Sequence, residues 1–295
     1  MGLMPKPYYP MYKWILCVSL SGLFLSASGQ GPQLLSKSQL EAQVKFLRLK
    51  DALPQPGYCL HLDLSFHELW ELDAAIAALT YTQYLNLSYN NLKTLPAEVG
   101  ELAHLQYANL SYNYLESLPY APCQWLFLRQ LDLSHNRLHE LPFCIGAWQM
   151  LEQLDLSHNR LKTLPEGIGD CAALEELDLH YSGLSALPNT LFTLPRLRRL
   201  NAATNRLGAL PENLGDARML EELDLSYNVL ATLPPSLVLL GQLKRLNLRG
   251  NQLKTLPNGI ERLVGLQQLD IRNNAFDKEQ IERIRALLSA TDVLY

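Results

Sequence analysis

Histidines, cysteines and a series of aromatic residues are the side chains through which this chain could do chemistry. His135 and His158 stand 23 residues apart and His180 follows 22 residues later, a spacing from which three imidazoles could converge on a metal ion. His135 and His158 each sit in Ser-His-Asn, however, a variant of the Ser-Tyr-Asn at 88–90, 111–113 and 226–228, so no metal site is expected. Cys123 and Cys144 could close a disulfide in an oxidising compartment, although spacing alone does not establish the geometry. Cys59 and Cys171 replace leucines of an apolar pattern and are expected as buried thiols. Asn-Leu-Ser at 86–88 and 109–111 matches the N-glycosylation acceptor, which matters only in a eukaryotic secretory pathway. The chain contains no phosphate-cradling GxxxxGK[ST], no HExxH and no GxSxG. It is therefore expected not to be an enzyme, and no cofactor is expected.

Recognition is the chemistry that remains. His61, Tyr84 and Tyr107 follow one another at intervals of 23, and so do Phe66, Tyr89, Tyr112, His135 and His158. Two aromatic columns on a solvated face favour a partner, because rings give large contact area at low entropy cost. These eight residues are the candidate partner-binding set. A protein is the expected partner, with a glycan stacking on the tyrosines as the alternative; the bland reading is that the rings merely stack on one another.

The interval itself comes from the stretch 151–173, LEQLDLSHNRLKTLPEGIGDCAA. With Leu151 as position 1, leucines fall at positions 1, 4, 6, 11 and 14, asparagine at 9 and proline at 15. The pattern returns in units beginning at Cys59, Thr82, Leu105, Leu128, Leu151, Leu174, Leu197, Leu220, Leu243 and Leu266, without insertion or deletion. A fixed period of this length marks a solenoid, in which no unit can bury its own apolar face and stability comes from stacking. LEQLDLSHNRL, LRQLDLSHNRL and LEELDLSYNVL resemble the LxxLxLxxNxL pattern of leucine-rich repeat proteins. The 23-residue form with LP and IG looks most like the Ras-suppressor-type class and its bacterial secreted relatives. The resemblance implies an α/β solenoid: a curved horseshoe with a parallel concave β-sheet, short convex helical turns and helical caps at both ends. It implies an asparagine ladder in the core and repeats that bind proteins without catalysing anything. Paired-cysteine caps, common in animal extracellular members, are absent, which points to a bacterial or intracellular-style member.

Within the unit, positions 4 to 6 alternate as a half-buried strand does, and positions 14, 18 and 21 make one stripe of a helical turn opened by Pro165. Glycine at position 19 (Gly100, Gly146, Gly169, Gly215) is expected to loosen that turn. Side chains at 3, 5, 7 and 8 are expected to project into the concavity. From the sixth unit on, positions 2 and 3 alternate in sign (Glu175/Glu176, Arg198/Arg199, Glu221/Glu222, Lys244/Arg245), so that half should neutralise itself across strands.

Residues 1–29 lie outside the period. Lys13 precedes the apolar run WILCVSLSGLFLSA, and Ala27-Ser28-Gly29 offers a cleavage site before Gln30, as in a secretory signal peptide. The expected location is therefore secreted or cell envelope, with no transmembrane span after processing. An N-terminal anchor, or an intracellular Ras-suppressor-type scaffold, is the alternative if the segment is retained. Without Lys6 and Lys13, 23 basic residues face 29 acidic ones, a charge of −6 that argues against nucleic acid. Residues 30–58 are expected as a linker and capping helix, with Ser38 and Glu41 as its capping box and Leu40, Val44 and Leu47 on its apolar face. Ten repeats should fill 59–288 and merge with a capping helix over 278–289 opened by Asp277 and Gln280, leaving 290–295 as a tail. The solenoid is expected to be a monomer.

Overall fold

The computed structural model describes residues 33–119 and 121–295, so the expected signal peptide lies outside the described residues. Helix α1 (Lys37–Glu41), strand β1 (Lys45–Phe46) and helix α2 (Leu49–Ala52) precede the repeats. Strands β2 to β11 are then His61–Asp63, Tyr84–Asn86, Tyr107–Asn109, Gln130–Asp132, Gln153–Asp155, Glu176–Asp178, Arg199–Asn201, Glu222–Asp224, Arg245–Asn247 and Gln268–Asp270. Helix α3 (Lys278–Leu287) leads to β12 (Asp292–Leu294). The twelve strands form one open sheet in sequence order, all neighbours parallel. From β2 to β11 the register is the repeat itself, as in Gln153↔Glu176, Leu154↔Leu177 and Asp155↔Asp178. A slip by one residue would turn a whole row of leucines outward, which is why no other register competes.

Each strand stops after three residues because its last residue ties down the chain beyond it. Asp155 Oδ1 accepts the Ser157 N–H at 2.8 Å. Asp132 Oδ1 accepts both the N–H and the hydroxyl of Ser134, at 2.9 and 2.7 Å. The serines at position 7 are thereby buried (Ser88, Ser111, Ser134, Ser157, Ser226), which corrects the expectation that this position faces the concavity. Two residues on, the asparagine turns into the core. Asn159 Nδ2 donates to the carbonyls of Leu133, Leu156 and Ser157, and its Oδ1 accepts the Leu138 N–H. The same pattern recurs at Asn90, Asn113, Asn136, Asn205, Asn228, Asn251 and Asn274. One amide thus serves its own bend and the coil before it, where the bare backbone would leave buried groups unpaired. Ser182, which stands in for asparagine, keeps fewer of these contacts, its hydroxyl lying 2.8 Å from Leu156 O in the coil before and 3.4 Å from His180 O in its own bend.

The leucines of the unit 151–173, with Ile168 and Cys171, are all buried. Each contributes on the order of 1.5–3 kcal/mol, and only because the next coil covers it. The convex stripe is carried on 3-10 turns of three to five residues, such as Glu166–Asp170 with Pro165 at its N-cap. The glycines inside these turns answer a different need from the one expected. A Cβ on Gly169 would fall 2.5 Å from Thr190 Cβ, and one on Gly215 would fall 2.3 Å from Ser236 O. Close approach of the next coil, rather than backbone freedom, excludes a side chain there. At position 21 the fully buried Trp125 and Trp148 donate their indole N–H to Val99 O and Pro122 O, at 3.0 and 2.8 Å. Beside them Cys123 and Cys144 form a disulfide joining consecutive turns across a Cα separation of 5.8 Å.

The ends depart from the sequence expectation. The first helix is capped by Ser36, not Ser38, with Gln39 closing the box. It ends at Glu41, so Val44 and Leu47 are exposed and only Leu40 is buried. Chain beyond it pairs as β1 with β2, Phe46 opposite Leu62. Alternation of period two places Phe46 against the core and its neighbours outward. At the other end Asp277 accepts the Gln280 N–H, and Ile284 and Leu288 are buried while Leu287 is exposed. Residues 290–295, expected as a tail, instead supply β12, whose Val293 pairs with Leu269. The apolar Val293 and the open edge of β11 satisfy each other better than solvent would satisfy either.

Candidate functional site

The eight candidate residues separate into two environments. Position 3 contributes His61, Tyr84 and Tyr107 from β2, β3 and β4. Residues 33–41 run over this column. Leu35 and Leu40 pack against Tyr107, with Tyr84 and Leu60 beside them. Backbone of the segment is held by two buried glutamines at position 2. Gln83 Oε1 accepts the Leu35 N–H at 2.9 Å and its Nε2 donates to Gln33 O at 3.0 Å. Gln106 Nε2 donates to Leu35 O at 2.9 Å. His61, only 1% exposed, donates from Nδ1 to Leu40 O at 3.1 Å. Burial pushes its pKa below the usual imidazole value, and burial likewise raises the phenols of Tyr84 and Tyr107. Lys37 crosses to Gln130 Oε1 at 2.7 Å and lies 5.9 Å from the Tyr107 ring centroid. This column is therefore not free surface, a correction to the expectation that both columns face solvent. Its rings are apolar seats for the chain's own N-terminal segment.

The second column stands free. Position 8 carries Phe66, Tyr89, Tyr112, His135 and His158, one after each strand from β2 to β6. Phe66, Tyr89 and Tyr112 are exposed. Their rings lie parallel, with centroids 4.4, 4.2, 4.1 and 4.1 Å apart along the row. The row ends at His158, beyond which His180 lies edge-on and Tyr181 tilted, at 5.2 and 5.3 Å. Every residue of the row has a positive φ, from 53° to 57°, a region that bulky side chains avoid. The bend imposes it. Each position-8 N–H donates to the next coil, as His135 does to Ser157 O at 3.0 Å and His158 to His180 O at 2.8 Å. Strain of this kind persists only where the surroundings over-determine the backbone, so the rings project from a fixed ledge along the ends of the strands. Burial, with His135 and His180 nearby, lowers the His158 pKa against the opposing pull of Asp178.

Further residues join this ledge that the sequence reading does not single out. Tyr181 shares position 8 and extends the row. Arg137 and Arg160, both at position 10, line the same open trough of about 700 Å³ as the five rings. Arg137 lies over the Tyr114 ring at 4.4 Å. Their common repeat position is the signal the sequence offers, masked because positions 9 and 11 on either side are buried in the core.

On the floor of the concavity two troughs follow. One, of about 360 Å³, runs beside the N-terminal segment and is lined by Gln130, Asp132, Gln153, Asp155 and Asp178 among others. Desolvation, with Asp132 and Asp178 on either side, raises the Asp155 carboxyl despite two hydrogen bonds from Ser157. The other, of about 460 Å³, spans β7 to β11 and is lined by paired charges. Arg199 pairs with Glu176 and Arg245 with Glu222. Glu221 holds Arg198 and Lys244, each at 2.6 Å, which pulls its carboxyl below the usual range.

Groups suited to covalent chemistry are placed away from it. Burial raises the Cys59 thiol to about 11 and the Cys171 thiol to about 12, so neither forms a nucleophilic thiolate near neutral pH. Among the described residues no group of three or more His, Cys, Asp or Glu is arranged to hold a metal ion. No helix among them is long and apolar enough to cross a membrane.

The sequence pattern described as leucine rich repeat matches residues 83–138, 126–184, 149–207 and 218–276. No curated protein matches the chain. Among solved structures, one similar chain is the ectodomain of the plant membrane receptor kinase GASSHO1/SCHENGEN3 from Arabidopsis thaliana, in complex with CASPARIAN STRIP INTEGRITY FACTOR 2. It is 31% identical, with a TM-score of 0.65, over 74% of this chain and 28% of that one. A TDR receptor is 25% identical with a TM-score of 0.70, over 81% of this chain and 44% of its own. The plant peptide hormone receptor RGFR1, in complex with RGF2, is 25% identical with a TM-score of 0.63, over 86% and 46%. This chain spans less than half the length of each of these receptors.

Proposed function

The chain belongs to the leucine-rich repeat family, and on that premise we propose that it is a non-catalytic, monomeric protein-binding solenoid, secreted or held in the cell envelope. Its partner lies along the concave side, against the position-8 ledge. The observation that carries this reading is the stacked row Phe66–Tyr89–Tyr112–His135–His158, continuous across five coils, with its first three rings exposed and its two histidines half-buried. Rigid rings lose little entropy on docking and dominate protein interfaces. The solved complexes of similar plant ectodomains with their ligands support the same use of this scaffold. The self-stacking of the rings disfavours the glycan alternative. A sugar would need ring faces, and from Tyr89 to His135 both faces of each ring are already covered.

An address outside the cytosol is supported by the apolar leader sequence at 1–29 and by the Cys123–Cys144 disulfide, which an oxidising compartment preserves. An intracellular scaffold of the Ras-suppressor kind would require the leader to be kept and the two thiols reduced. Two measurements test the proposal. Intact mass of the protein exported by a secreting host should begin at Gln30 and show the two thiols oxidised; a full-length, reduced, cytosolic product would reject the location. Tyr89→Ala with Tyr112→Ala should abolish retention of an extracellular partner by the immobilised chain without moving the thermal midpoint. Undiminished retention would place the interface elsewhere.

A further inference from the structure

We propose that the ledge is a docking strip for an extended acidic peptide segment of the partner, with Arg137 and Arg160 taking its carboxylates beside the ring edges of Tyr112, His135 and His158. The inference rests on the protein-binding reading above and adds the chemistry of what is bound. Charge is its first support. The trough along the ledge is lined by two arginines and two histidines and by no carboxylate, in a chain whose net charge is −4. Both troughs on the concave floor are lined by several carboxylates. The ledge is thus the one of these three concave-side troughs whose ionisable lining is entirely cationic or neutral.

The arginines are also uncommitted. Elsewhere along the coils, Arg129, Arg198, Arg199, Lys244 and Arg245 all sit in ion pairs. Arg137 and Arg160 form none among the described residues. Arg137 is instead laid on the Tyr114 ring, which orients a guanidinium while leaving its N–H donors for a ligand. A planar fork presented in this way matches a carboxylate bidentately.

Ring geometry narrows the ligand further. Because the inner rings cover one another, the row presents edges, phenol hydroxyls and imidazole nitrogens outward. Aromatic edges are the positive part of the ring quadrupole. Bases of a nucleic acid bind by stacking on open faces, and the row offers none between its ends. Equivalent positions in neighbouring coils are ~4.8 Å apart, and alternate side chains of an extended peptide ~6.6 Å. The two arginines can therefore splay onto carboxylates two residues apart, while the five-ring row matches roughly five residues of extended chain.

The test is titration of the full chain with fluorescein-labelled deca-glutamate, read by fluorescence anisotropy at low salt. Native protein should bind it, and Arg137→Ala with Arg160→Ala should weaken binding by about tenfold or more. Arg199→Ala with Arg245→Ala removes the same charge from paired sites and should change it by less than about twofold. Absence of binding by the native chain, equal losses in the two double variants, or tighter binding of single-stranded oligo-dT at the same salt would each overturn the proposal. Circular dichroism should show both variants folded, which keeps a loss of binding distinct from a loss of structure. A partner protein retained undiminished by the Arg137/Arg160 variant would leave the protein-binding reading standing and reject the acidic segment. Failure of the native chain to retain any extracellular protein would reject the reading itself, independently of the titration.

Discussion

From β2 to β6 the concave side is finished with rings and a peptide segment; from β7 to β10 it is finished with ion pairs. The scaffold beneath is the same. Position 3 changes from His61, Tyr84 and Tyr107, through Gln130 and Gln153, to Glu176, Arg199, Glu222 and Arg245. Opposite charges in adjacent parallel strands face each other at one strand spacing and satisfy each other, so the C-terminal half is largely neutralised within itself. Rings in adjacent coils also meet, but stacking covers faces and leaves edges and hydroxyls outward. At position 8 the contrast repeats. The five-ring row has no counterpart beyond Tyr181, where Thr204, Tyr227, Gly250 and Asn273 follow. Tyr227 lies across Gly250, where a Cβ would come within 2.7 Å of its ring. A repeat protein can thus vary the surface of one scaffold from coil to coil, according to whether successive side chains cancel or accumulate.

The largest effect should ignore this division. Asn159→Leu in the aromatic half and Asn228→Leu in the ionic half each strip several buried backbone groups of their partner. Both should lose about 3 kcal/mol or more in urea unfolding; a marked inequality would mean that the two halves do not share one scaffold. Next comes a change confined to the first coils. Tyr84→Ala with Tyr107→Ala should cost about 2 kcal/mol, since both rings pack under residues 33–41. Hydrogen exchange should show that segment released, whereas Tyr89→Ala with Tyr112→Ala should leave it protected. Equal protection in both variants would refute the packing described for the segment.

Smaller again is the loss of an ion pair. Glu176→Ala with Arg199→Ala should change stability by at most ~1 kcal/mol, because the pair is largely solvated; a larger loss would show that the ionic half depends on its charges as the other depends on its rings. The smallest effect is protonation of the row. His158 has its pKa lowered in the folded chain, so the unfolded chain takes up that proton first. Its contribution is fully present above the ordinary imidazole value near 6.5 and is lost as pH falls through the lower folded value. His158→Gln should flatten the thermal midpoint across that acidic window; an unchanged slope would assign the dependence to another group.

The solenoid was legible in the sequence because a strict period makes every local choice recur in the same surroundings. Leucines at 1, 4 and 6, the asparagine at 9 and the proline at 15 each answer to neighbours exactly one unit away, so the pattern alone specifies strands, register and ladder. The alternating signs at positions 2 and 3 specified their own pairing for the same reason. What lies outside the period was not legible. The first helix is capped two residues earlier than the sequence suggests, strand pairing turns Val44 and Leu47 out rather than in, and residues 290–295 supply β12 rather than a tail. Most consequential was the cover over His61, Tyr84 and Tyr107. Only the tertiary structure brings residues 33–41 back across strands up to 71 residues later in the chain, through Leu35 and Gln106. A non-repeating segment has no recurring neighbour to declare its partner, and its apolar side chains settle wherever the finished solenoid offers an uncovered seat.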